Sequence, residues 1–231
     1  MIFFIMKSIR FMRIAIVLIS IVTVYNDNGQ AQNALRYLKN QNYIVQLGMY
    51  DLFTAGQADV VMFGNSLTYN ANWSEILNRK NIANRGIASD ITAGYLHRLG
   101  YVYKLRPKIC FIEGGVNDLF SNDSVKNIMH NFISIVDSLR SHDIVPVIQS
   151  TLFVAAKYPR AKEKNKQIRT LDELLADFAS KHAIEYLDIN LLVSHNGFLR
   201  SDLTYDGIHL NARGYALWAP EVERVLVKHK L

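Results

Sequence analysis

Short apolar runs alternate with longer stretches of helical periodicity along this chain. Asp59–Phe63, Lys108–Ile112, Ile144–Gln149 and Ile184–Asp188 are rich in Val, Ile and Phe, and a weaker run covers Asn81–Asn84. Each has the length of a strand buried on both faces. Between them, Ala34–Phe53, Trp73–Arg79, Ile91–Leu105, Ser124–Ser141, Ala161–His182 and Ala212–Lys230 carry apolar positions at helical spacing, long enough to act as crossovers. The alternation predicts an α/β domain: a five-stranded parallel sheet with helices on both faces, in three layers. Pro107, Pro159 and Pro220 read as element starts, whereas Pro146 falls inside a strand pattern and requires its missing N–H to face an edge or a bulge.

The first 31 residues follow a different pattern. Lys7, Arg10 and Arg13 flank an apolar run from Ile14 to Tyr25, followed by the small residues of Gly29-Gln30-Ala31. That is the layout of an export signal, and the run is shorter than the roughly 20 residues of a membrane span. The chain therefore divides into a signal peptide over 1–31 and one domain over 32–231, exported to the periplasm or beyond. An uncleaved anchor is the alternative reading. No stable membrane span is expected after processing.

The 231 residues are enough for one domain with a sizeable core, and no linker divides the body. The net charge of +6 derives partly from the N-terminal cations, and the other basic residues are scattered, with one cluster at Lys157–Lys166 that reads as a solvated helix face. That distribution argues against a nucleic-acid partner. Cys110 is the sole cysteine, so an intrachain disulfide and a cysteine-based zinc site are both excluded; its apolar surroundings mark it as core. No histidine pair has metal-ligand spacing, and neither metal nor cofactor is expected.

The candidate chemistry collects at one end of the predicted sheet. Ser66 follows the first apolar run, Gly86 the second and Asn117 the third, while Asp206 and His209 occupy the loop before the last helix. In an open parallel sheet, ligands bind beyond the carboxyl ends of the strands. A serine, a late aspartate and a histidine supply the nucleophile, orienter and base of a hydrolytic triad.

Four blocks, GNSLT at 64–68, NRGIAS at 84–89, GGVNDLF at 114–120 and LTYDGIHLN at 203–211, resemble in order those of the SGNH, or GDSL-type, esterase and lipase superfamily. Asn65 stands where the family name has Asp, and the GxSxG elbow of ordinary α/β-hydrolases is absent. The resemblance implies a flavodoxin-like SGNH hydrolase fold, a triad of Ser66, Asp206 and His209, and an oxyanion hole formed by the N–H groups of Ser66 and Gly86 with the Asn117 amide. It also implies a serine esterase. Short loops after the strands leave little chain for a lid, which favours a small acyl group, acetyl first, on a glycan or other small ester. Tyr69, Trp73, Phe120, Phe153, Phe198 and Tyr205 are candidates to line the mouth. A lysophospholipase or thioesterase for longer chains, and a non-catalytic binding module of the same fold, are the alternatives.

Overall fold

A computed structural model describes residues 35–231 of the chain; the signal-peptide expectation lies outside the described residues. From Tyr37 onward the chain forms one compact unit. In chain order it contains α1 (Gln41–Leu52), β1 (Val60–Gly64), α2 (Ser66–Tyr69), α3 (Trp73–Ile76), β2 (Ile82–Gly86), α4 (Thr92–His97), α5 (Gly100–Tyr103), β3 (Ile109–Ile112) and α6 (Val116–Phe120). There follow α7 (Val125–Arg140), β4 (Val145–Gln149), α8 (Ala161–Lys181), β5 (Glu185–Leu187), α9 (Asn190–Val193), the small hairpin β6 (Ser194–His195) and β7 (Phe198–Leu199), and α10 (Ala212–Lys228). The five main strands are parallel in the order β2-β1-β3-β4-β5, the doubly wound arrangement with its switch point beside β1.

Side-chain alternation sorts the sheet into two faces. Val61, Phe63, Cys110, Ile112 and Ile148 meet helices α4 to α8 on one side, and Val60, Met62, Ile109, Phe111 and Val147 meet α2, α3 and α10 on the other. The long helices bury one stripe each: Ile128, Phe132, Ile135, Val136 and Leu139 in α7, and Ile168, Leu171, Leu175 and Ala179 in α8. Trp73 belongs to this packing, 99% buried edge-on against Trp218 at 5.0 Å, and therefore does not line a mouth.

Two prolines show how the backbone manages a missing donor. The Val145 N–H reaches Lys108 O, just before β3, so alternation directs the Pro146 nitrogen towards β5, whose ladder begins only at Val147↔Glu185. Pro220 lies inside α10 rather than at its start, on the exposed side, where the carbonyl it leaves free is open to solvent.

The predicted Ile91–Leu105 helix is broken at Arg98, which has φ −113° and ψ 13°. The interruption serves the side chain. Fully buried, Arg98 donates Nε to Asp90 Oδ2 at 2.7 Å, Nη1 to Arg85 O at 2.6 Å and Nη2 to Gly64 O at 2.8 Å. Its guanidinium also lies over the rings of Phe63 and Tyr95, at 4.2 and 4.8 Å from their centroids. One cation thus ties the end of β1, the end of β2 and the Asp90 turn together. Arg98→Met should lower unfolding free energy in urea by about 3–5 kcal/mol, because Asp90 is left buried without its partner. Arg79→Met, at the half-exposed Arg79–Glu223 pair, should cost about 1 kcal/mol or less in the same assay.

Candidate active site

Ser66 is reached by one residue from the end of β1 and opens α2. Asn65 caps the turn: its Oδ1 accepts the Leu67 N–H at 2.8 Å, and its carbonyl accepts the Tyr69 N–H at 2.9 Å. The short helix is held close to β2. A Cβ on Gly86 would lie 2.3 Å from Tyr69 N, so glycine is required there for close backbone approach. Asn84 secures the far end of α2, donating its side-chain amide to the carbonyls of Thr68 and Ala71 at 2.9 Å.

Asp206-Gly207-Ile208-His209 folds into a tight turn before α10. Asp206 Oδ1 accepts the N–H groups of Ile208 and His209 at 2.9 and 2.8 Å, and Gly207 takes φ +97°. The three-residue spacing therefore curls the carboxylate back on its own histidine. His209 Nδ1 lies 2.6 Å from Asp206 Oδ2, and His209 Nε2 lies 2.9 Å from Ser66 Oγ. With the Nδ1 proton directed at the carboxylate, Nε2 faces the serine hydroxyl as its acceptor. Partial burial pushes the Asp206 carboxyl up, but the bonds from the His209 ring and the two N–H groups outweigh it and hold the group below its ordinary value. Tyr205 stacks on the His209 ring at 5.8 Å.

Asn117 enters from β3. Gly115, at φ +99°, turns the chain into α6, and a Cβ there would lie 2.7 Å from Leu171 Cδ2. The Asn117 amide donates to Asp90 O at 2.9 Å, which fixes its orientation and leaves its second hydrogen unused. Asp118 secures the same contact by accepting the N–H and hydroxyl of Thr92 at 2.9 and 2.5 Å. Burial pushes its carboxyl up to about 7, and its place beneath the turn makes it a brace rather than a proton carrier.

Gly86 is the exception among the expected site residues. It is buried, and its N–H already donates to Asn84 Oδ1 at 2.8 Å, so it is not free to receive an oxyanion. In the same turn, the exposed Ser89, at φ +60°, has an N–H that meets no partner among the described residues. Sequence reading overlooked Ser89, Asp90, Arg98 and Glu113. The available signals were a small residue just past a strand end and charges set among apolar positions.

Of the aromatic candidates, Tyr69 and Tyr205 are exposed beside the triad, while Phe153 is core, Phe120 stacks on Tyr158 at 5.5 Å and Phe198 belongs to the β6–β7 hairpin. A depression of about 590 Å³ adjoins Tyr205, lined by Asn70, Asn72, Ile76, Leu210 and Tyr215. Cys110 is buried, and burial raises its thiol far above the usual range. Among the described residues, no group of three or more His, Cys, Asp or Glu is placed to hold a metal ion, and no helix is long and apolar enough to cross a membrane.

The profile of the GDSL-like lipase/acylhydrolase family matches residues 51–217. A GDSL-like lipase from Bacteroides thetaiotaomicron shares the fold with a TM-score of 0.70 at 21% identity, covering 81% of this chain and 98% of its own. An acetyl xylan esterase superposes with a TM-score of 0.63 at 17% identity, covering 72% of this chain and 98% of its own. The N-acylneuraminate cytidylyltransferase of Streptococcus agalactiae is 32% identical over 123 residues, 49% of this chain and 28% of the relative, so this chain matches only a minor part of that protein.

Because His209 Nε2 is the base that faces the hydroxyl, Ser66→Ala should fold normally and lower esterase kcat by about 10³-fold or more. Asn117→Ala should cost about 10²-fold in kcat with a smaller change in KM. A rise confined to KM would make Asn117 a substrate-binding group instead.

Proposed function

The chain belongs to the GDSL-like lipase/acylhydrolase family of ester-hydrolysing enzymes, and from that membership we propose a serine esterase that removes small acyl groups, acetyl first, from a carbohydrate or another small ester. The continuous line from Asp206 through His209 to Ser66 carries the reading. In it, Ser66 Oγ attacks the ester carbonyl while His209 Nε2 takes the hydroxyl proton, and the same proton then passes to the departing alcohol. Water, deprotonated by His209, attacks the acyl-serine, releases the acid and returns the proton to Ser66. Asp206 stabilises the imidazolium throughout.

The oxyanion requires fixed donors. We assign this role to the Ser66 N–H, the unused hydrogen of the Asn117 amide and, in place of Gly86, the Ser89 N–H. Support for Ser89 comes from its free donor and from the contact between Asn117 and the adjoining Asp90 carbonyl.

The acyl preference rests on the open surroundings of Ser66, where Tyr69 and Tyr205 are exposed and the neighbouring depression is shared with polar Asn70 and Asn72. The acetyl xylan esterase and the N-acylneuraminate cytidylyltransferase are both named for sugar substrates, which supports a carbohydrate as the alcohol part. The alternative rests on Ile76, Leu210 and Tyr215, which give the same depression apolar walls for a longer chain. A non-catalytic binding module has no use for the 2.6 and 2.9 Å alignment of the triad. Export remains part of the proposal; sequencing the mature N-terminus from the native host should place the start near Gln32, and an intact leader on a cytosolic chain would reject it.

With p-nitrophenyl esters, kcat/KM should peak at acetyl or propionyl and fall towards chains of about eight carbons. If every methylene were buried instead, each would contribute about 0.8 kcal/mol, and the profile would rise roughly fourfold per carbon. Such a rise would identify a longer-chain acylhydrolase.

A further inference from the structure

Glu113 is a fully buried carboxyl that the hydrolytic cycle leaves unused. It directly follows β3, and its N–H donates to Phe63 O at 3.0 Å. Extending the pairs Phe63↔Ile112 and Ile112↔Ile148 by one residue aligns Gly64, Glu113 and Gln149 across three neighbouring strand ends. By alternation these residues face α2 and α10, directly beneath the nucleophile. Glu113 Oε1 accepts the Asn65 side-chain amide at 3.4 Å, and the other end of that side chain accepts the Leu67 N–H. The buried carboxyl is therefore one side chain removed from the turn that presents Ser66.

We propose that Glu113 is a positioning residue for the nucleophile, held as the neutral acid beneath Asn65, and that its ionisation in alkaline solution puts an unpaired buried charge under this turn and disturbs it. The proposal rests on the esterase reading for its kinetic consequence, but not for the ionisation itself.

The surroundings are those of an uncharged group. Acting on it are Asn65 at the cap of α2, Tyr215 from α10 and Asp118 from α6, while the Tyr95 hydroxyl of α4 donates to its carbonyl and Gln149 of β4 stands next in the row, bonded to Trp218 of α10. Among the described residues no basic side chain pairs with Glu113; the Arg98 guanidinium is committed to Asp90, Arg85 O and Gly64 O. Three buried polar atoms of this row have no partner: Glu113 Oε2, Thr68 Oγ1 and Gln149 Nε2. A carboxylate there would add charge to an already under-satisfied site, whereas a protonated Oε2 supplies a donor. Burial pushes the carboxyl up to about 8, opposed by the Asn65 side chain and N–H and reinforced by Asp118.

Asn65 fits the same account. An amide can donate to Glu113 while accepting from Leu67; an aspartate would confront it with a second carboxyl. Ionised Glu113 would also place a negative charge below the position where the oxyanion forms, so kcat should fall as pH rises through about 8.

The test compares wild type, Glu113→Leu, Glu113→Gln and Asn65→Asp from pH 5 to 10, measuring p-nitrophenyl acetate kinetics and Tm. Glu113→Leu should lower kcat at pH 7 roughly tenfold, the loss of about one buried hydrogen-bond network, with little change in KM. Glu113→Gln, which keeps the shape and a donor, should restore most of that loss and abolish the alkaline decline. Asn65→Asp should move the decline to higher pH, a readout that holds even if a Glu113 variant fails to fold. An alkaline limb shared unchanged by wild type and Glu113→Gln, or unmoved in Asn65→Asp, would overturn the proposal.

Stability gives a readout without catalysis. The native pKa lies above the 4.5 of the unfolded group, so the contribution of the neutral acid is complete below 4.5 and is lost as pH rises towards 8. The Tm of wild type should therefore fall relative to Glu113→Gln across that window, and parallel Tm curves would reject the neutral acid even in a protein that proved not to be an esterase.

Discussion

The Arg98 guanidinium holds together the segments from which the site is built. Its three donors fall on Asp90, on the carbonyl before Gly86 and on the carbonyl of Gly64, two residues before Ser66. Burying a cation is unfavourable unless each of its nitrogens is hydrogen-bonded and an anion faces it. Both conditions hold here, and meeting them fixes the ends of β1 and β2 against the Asp90 turn. That turn then holds Asn117 and Asp118 at the end of β3. The proposed nucleophile and oxyanion donors thus share one rigid support, which suits groups that must be in place before charge develops.

Charge is distributed unevenly around that support. Asp206 is partly exposed, accepts three hydrogen bonds and remains ionised, as the orienter of a base must. Asp118 and Glu113 are buried without a facing cation, and burial raises both. Three carboxyls close to one serine therefore differ in role through their surroundings alone. The ionised one stands on the far side of His209, where it favours the imidazolium.

The strands were legible because a sheet buried on both faces requires apolar runs. Val60–Gly64 and Val145–Gln149 lie within a residue of the runs in the sequence. The long helices were legible through their stripes. What escaped was set by contacts distant in sequence. Gly100 is the only local hint of the break in Ile91–Leu105, whose cause is distant: it serves Arg98 in reaching Gly64, 34 residues away. Trp73 looked like a mouth residue until Trp218 covered it. Gly86 looked like a donor because glycine permits close approach; the approach is real, but it is made by the backbone of Tyr69, and the N–H is taken by Asn84. The grouping of Ser66, His209 and Asp206 was readable because the proposed chemistry restricts the residue types, and the Asp-x-x-His spacing closes on itself within a single turn.

The claim on which everything else rests is that Ser66 is an activated nucleophile in the folded chain. Reaction with a fluorophosphonate, followed by digestion and mass spectrometry, tests it directly, because such reagents form a stable adduct only with a hydroxyl whose proton is accepted by a neighbouring base. One stoichiometric adduct is expected on the peptide containing Ser66, lost in His209→Ala. Modification at another serine, or a folded protein that does not react, would contradict it.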